Sequence, residues 1–195
     1  IILQHSEAPD TSISGRGIPN YLGAPVITPD GLSAWIPSKQ DNIKRGMLRD
    51  GQPLTHDTAV RPIASRVNLV TLTEDHVARI DFNDAGTPTA ACHDPSGIYT
   101  FVALEGSRAV AVVDTWNHQE ITRFSAGRAP QGLAVSPDGK TLAFQALGRL
   151  WLQSLPGGTP RRLTPATFEP FEFQPAWSPD GRMIAFASVD ANNRG

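Results

Sequence analysis

Short apolar runs alternate with sharp polar turns along this chain, and the same arrangement returns several times. Apolar residues precede the turns at Ala24–Ile27, Thr89–Cys92, Gly132–Val135 and Gln174–Trp177. They follow them at Ser33–Ile36, Ile98–Ala103, Thr141–Gln145 and Met183–Ala187. Between each pair lies nearly the same tetrapeptide: Thr28-Pro29-Asp30-Gly31, Asp94-Pro95-Ser96-Gly97, Ser136-Pro137-Asp138-Gly139 and Ser178-Pro179-Asp180-Gly181. Proline presets φ at the second turn position, and glycine takes the left-handed position that returns the chain. Two apolar runs joined in this way predict a β-hairpin.

The rest of each period predicts two more strands. Arg108–Asp114 alternates around Val110 and Val112, and Glu120–Phe124 follows a turn at Asn117. In the next period Arg149–Leu155 is followed by Pro156-Gly157-Gly158 and Pro160–Leu163. No window holds a helical apolar stripe over three turns, and 17 prolines and 17 glycines punctuate the chain. Gly97, Gly139 and Gly181 are spaced 42 residues apart. Four strands in a period of roughly 40–50 residues are the content of one β-propeller blade. The expected fold is all-β: a partial propeller of three to four four-stranded antiparallel blades. The blades fall at about 24–82, 87–126 and 129–165, with pieces of a fourth at 173–195 and 1–5.

The spacing breaks once, because Gly31 and Gly97 are 66 residues apart. The excess is expected between the second and third strands of the first blade, at about 39–64. This insertion is polar and basic, with Lys44, Arg45, Arg49 and His56 and then Arg61. A second irregular stretch, Asp10–Leu22, carries Arg16. Loops on a rigid repeat scaffold are where contacts concentrate. Arg16, Lys44, Arg45, Arg49 and His56 are therefore the candidate interaction surface; the turn prolines, aspartates and glycines are structural.

Two resemblances follow from the residues. Residues 1 to about 139 resemble the YVTN-type propellers of bacterial proteins that often carry c-type cytochrome domains. The segments Ser14–Pro25, Pro37–Gly51, Phe101–Asp114 and Gly127–Leu133 carry the likeness. Residues from about 130 to 195 are similar to the TolB-type repeats fused to some amidohydrolases, through Leu150–Gly158, Pro160–Thr164, Phe173–Gly181 and Ile184–Phe186. A change of family inside a turn common to both reads as a recombinant, whether natural, engineered or composite. A periplasmic or secreted setting is implied by the resemblance alone.

The chemistry of those families is not expected here. Attachment of a c-type haem takes Cys-x-x-Cys-His, and the nearest string, Thr89-Ala-Ala-Cys92-His93, has threonine at the first cysteine. The five histidines are scattered, without the paired spacing of a metal site. The turn aspartates fit local hydrogen bonding better than calcium. No catalytic residue, cofactor or metal is expected. The net charge of −2 gives no bulk electrostatic case for nucleic acid, and no apolar stretch reaches the roughly 18–20 residues of a membrane span. One cysteine, Cys92, excludes an internal disulfide.

Families of this type close rings of roughly six to eight blades. Three to four would leave strand edges and apolar faces open, which favours association with a protein partner or a second copy; a closed four-blade ring is the other option. Three functions remain: a non-catalytic scaffold or protein-binding module, the propeller part of a periplasmic cytochrome-associated redox protein, or that of a TolB-like amidohydrolase. The first needs no residue that the chain lacks.

Overall fold

The structure, a computed structural model, describes residues 1–9, 11, 14–43 and 59–190. It is all-β, a partial propeller of successive antiparallel sheets. The first blade holds β1 (Ile18–Asn20), β2 (Val26–Ile27), β3 (Ser33–Asp41), β4 (Val60–Asn68) and β5 (Thr73–Asp81). The second holds β6 (Pro88–His93), β7 (Tyr99–Leu104), β8 (Ala109–Asp114) and β9 (Gln119–Ser125). The third holds β10 (Pro130–Val135), β11 (Thr141–Ala146), β12 (Arg149–Ser154) and β13 (Arg161–Arg162). The fourth is a pair, β14 (Phe171–Trp177) and β15 (Ile184–Val189).

Three of the four hairpin turns are locked by the same hydrogen bonds. In the third blade Ser136 Oγ donates to Asp138 at 2.6 Å, Lys140 N–H donates to the same carboxylate, and Thr141 N–H donates to Ser136 Oγ. The first and fourth blades repeat this with Thr28 and Asp30 and with Ser178 and Asp180. The second blade exchanges the two roles. Asp94 there accepts from the hydroxyl and amide of Ser96 and from Tyr99 N–H. Asp-Pro-Ser-Gly thus makes a related network in which the first residue accepts and the third donates.

Hydrogen bonds from Thr28, Ser136 and Ser178 are the leading cause that holds Asp30, Asp138 and Asp180 below the ordinary carboxylate value of 3.8. A carboxylate lowered on folding contributes stability in full above its unfolded value, and that contribution is lost as pH falls through the lower folded value. Asp138→Asn is expected to flatten the acid limb of the stability curve below about pH 4. Circular dichroism across an acid titration measures this, and an unchanged acid limb contradicts it.

The turns also join the blades. A Cβ placed on Gly97 would lie 3.3 Å from Pro29 Cδ, one on Gly139 3.8 Å from Pro95 Cδ, and one on Gly181 3.6 Å from Pro137 Cδ. Each turn glycine therefore sits against the turn proline of the blade before it. Its φ, between +69° and +73° in these three, is the second reason for glycine. Gly31 has nothing within 4 Å of the same position, so the contact that joins successive blades is not made between the fourth blade and the first.

Apolar cores fill the blade junctions. Trp35, Ile80 and Phe82 of the first blade side pack with Val102, Leu104 and Val113. Phe101, Ala103 and Val110 pack with Leu133, Leu142 and Phe144. Between the third and fourth blades the tie is polar. Glu172 is fully buried, accepts Leu150 N–H at 2.6 Å and the Thr164 hydroxyl, and lies 3.6 Å from the Arg162 guanidinium.

Several expectations are corrected in the first blade. The insertion was expected over 39–64, but β3 runs to Asp41 and β4 starts at Val60, in register from Ser33↔Asn68 to Asp41↔Val60. Polar residues there are interior. Arg61, expected on a surface loop, is 1% exposed, its Nε donating to Asp81 at 2.9 Å and its Nη2 to Asn83. Ile18–Asn20, expected to be irregular, pairs with β3.

Ile1–His5, expected as the outer strand of a blade, forms no strand. Gln4 N–H donates to Glu74, Arg79 donates to Gln4 O and Gln40, and Gln40 donates to Gly15 O. Ser6 and Gly17 exchange backbone hydrogen bonds. This segment covers the face of the first blade turned away from the second. The expected open face is covered at that end.

Candidate functional site

Among the described residues, an axial channel and an uncovered blade have the form of binding sites. The innermost strands converge on a cavity of about 610 Å³ lined by residues of all four blades, among them Pro25, Ala90, Gln131 and Gln174. The strands bulge where they face it, between Pro88 and Ala90, between Gln131 and Leu133, and between Phe173 and Ala176. Bulges re-aim side chains at functional rims. Thr89 Oγ1 donates to Pro130 O at 3.1 Å, which ties the second blade to the third. Among the described residues the lining holds amides, the Thr89 hydroxyl and apolar groups and no charged side chain, so this wall can bind by hydrogen bonds and contact.

Cys92 is buried in the junction core of the second and third blades. Burial pushes its thiol up to about 12. His93 Nδ1 lies 2.9 Å from Thr100 Oγ1, and burial holds the imidazole below its ordinary value. A thiol reacts as thiolate, so Cys92 is expected to stay unmodified by a disulfide reagent at neutral pH and to react only as the chain unfolds. Fast, stoichiometric labelling of the folded protein contradicts that. Among the described residues, no three His, Cys, Asp or Glu side chains converge as a metal site, and no helix is long and apolar enough to cross a membrane.

Of the candidate interaction residues, Arg16 is exposed beside Gly15 and Gly17, at the end of β3 from which the insertion leaves. Lys44, Arg45, Arg49 and His56 lie outside the described residues. Open strand edges and apolar faces were expected from the sequence, but not the residues that form them. Four residues after each turn glycine stand Trp35, Phe101, Ala143 and Ala185. The first three are 0%, 4% and 0% exposed, facing the next blade by strand alternation. Ala185 is exposed, as are Ala187, Met183 and Ala176 around it. Among the described residues β15 pairs only with β14, so a strand edge is open beside this apolar face. The 42-residue count located these positions, but only the neighbours show that the fourth is bare.

Solved structures of this shape are propeller proteins. The chain is similar to Kuenenia stuttgartiensis hydrazine synthase at TM-score 0.62 and 21% identity, covering 89% of this chain and 44% of that one. It is similar to the periplasmic gluconolactonase PpgL of Pseudomonas aeruginosa at TM-score 0.60 and 15% identity, over 90% and 52%. It is similar to the dihydro-heme d1 dehydrogenase NirN at TM-score 0.53 and 16% identity, over 88% and 35%. The chain thus spans about half or less of each structure's length. At these identities the likeness shows the fold alone. No protein-family model matches the chain, and no curated protein matches it in sequence.

Proposed function

We propose that this chain is a non-catalytic propeller scaffold that binds protein through its trailing blade. One observation carries the reading. Ala185 occupies the position that is buried under the next blade in the three preceding ones, yet it is exposed, next to the open edge of β15. A surface shaped for blade packing and left bare is a docking face for β-structure. The YVTN-type and TolB-type character of the two segments, and a recombinant origin, belong to this reading.

In isolation the partner available is a second copy. Sedimentation velocity in the tens-of-micromolar range is expected to show reversible association. Ala185→Arg places a charge in the contact and is expected to weaken association by a factor on the order of ten, about 1.4 kcal/mol. A folded monomer at all concentrations, or association indifferent to Ala185→Arg, overturns the reading.

A second reading is favoured by the company the fold keeps: a propeller portion of a haem-associated redox protein. A dihydro-heme d1 dehydrogenase is among the similar structures. Protein purified from its natural source would then carry a haem absorbance band; a colourless product excludes it.

A further inference from the structure

We infer that the cleft between the first and second blades, on the rim that carries the turns, is a binding site for a single neutral sugar ring. The cleft encloses about 340 Å³, at the small end of the roughly 300–1,000 Å³ of small-molecule sites. One wall is the Thr28–Asp30 turn with Arg66 from β4; the other is the β8–β9 turn with Thr115, Trp116 and His118. Trp116 is 80% exposed, an unusual position for an indole with no core to fill.

Its backbone is fixed. Asp114 accepts hydrogen bonds from Trp116 N–H and Asn117 N–H at 2.9 Å and from the Asn117 side chain. Preorganised aromatic platforms bind at low entropic cost. His118 is pinned beside them, its ring 5.8 Å from the Trp35 ring. Burial first, and then Arg66, hold its imidazole below the ordinary value, so it is neutral at pH 7 and offers one donor and one acceptor. The Thr115 hydroxyl is held at 2.9 Å from Thr100 Oγ1, which in turn meets His93.

The charges select the ligand class. Arg66 is neutralised by Asp75 at 3.1 Å, and Asp30 adds a carboxylate to the wall. The surplus carboxylate charge disfavours a phosphate or carboxylate ligand. A ligand with an apolar face for Trp116 and hydroxyls around its edge matches the indole and the polar groups of Thr115 and His118. A pyranose ring has both.

Saturation-transfer NMR on the intact chain with glucose, galactose, mannose and N-acetylglucosamine, followed by a fluorescence titration, tests this. At least one sugar is expected to bind in the millimolar range. Trp116→Ala is expected to weaken it at least tenfold while circular dichroism and the melting temperature stay unchanged, and Arg66→Lys is expected to shift preference among the sugars. No binding by any of the four, binding unaffected by Trp116→Ala, or binding of tetramethylammonium or inorganic phosphate in their place overturns the inference.

Discussion

Glu172→Ala is expected to lower stability by about 3 kcal/mol and to loosen the fourth blade first. The carboxylate is fully buried between blades, where Leu150 N–H and the Thr164 hydroxyl donate to it and Arg162 stands nearby. Removing an acceptor leaves buried donors unsatisfied, at roughly 1–3 kcal/mol, and breaking a buried ionic contact costs roughly 3–5 kcal/mol. Arg162 is partly solvated, which sets the expectation at the lower end. For a chain of this size the melting temperature should fall by about 6–12 °C. Limited proteolysis should cut first near residues 155–170, which link the two blades. Glu172→Gln keeps an acceptor and should lie between wild type and alanine. A fall of less than about 2 °C would mean that the fourth blade is held by its apolar contacts alone.

Trp35→Ala is expected to cost about 4 kcal/mol, because it empties the junction of the first two blades. Trp35 is 0% exposed and packs with Phe82, Val102 and Leu104. Large aromatic-to-alanine changes in cores cost roughly 3–5 kcal/mol. Trp35 Nε1 is buried without a hydrogen-bond partner, so Trp35→Phe removes volume but breaks no bond and should cost less than half as much. Denaturant unfolding followed by tryptophan emission separates the two. Equal losses would show that the indole nitrogen is bonded after all.

How much of this was legible in the sequence follows from where each contact lies along the chain. The hairpins were readable because everything that makes them sits within six residues: Ser136, Asp138, Gly139 and the amides of Lys140 and Thr141. Strand pairing inside a blade was readable from alternation. The exchange of Asp94 and Ser96 was visible in the sequence, but its matching exchange of acceptor and donor was not. What failed was long-range and polar. Gln4 meets Glu74 across 70 residues, and Arg61 meets Thr11 across 50. Such pairs leave no period behind them, and a buried arginine reads as a loop arginine until its carboxylate is seen. An open face was expected, but its place at Ala185 was not, for another reason. An alanine under a neighbour and an alanine without one are the same letter.

The stacking of each turn glycine on the preceding turn proline has a consequence for how such molecules grow. Every joint is made by the same two residues, so a blade inserted, lost or exchanged by duplication finds a matching seam on either side. The joint says how to add the next unit and is silent on when to stop.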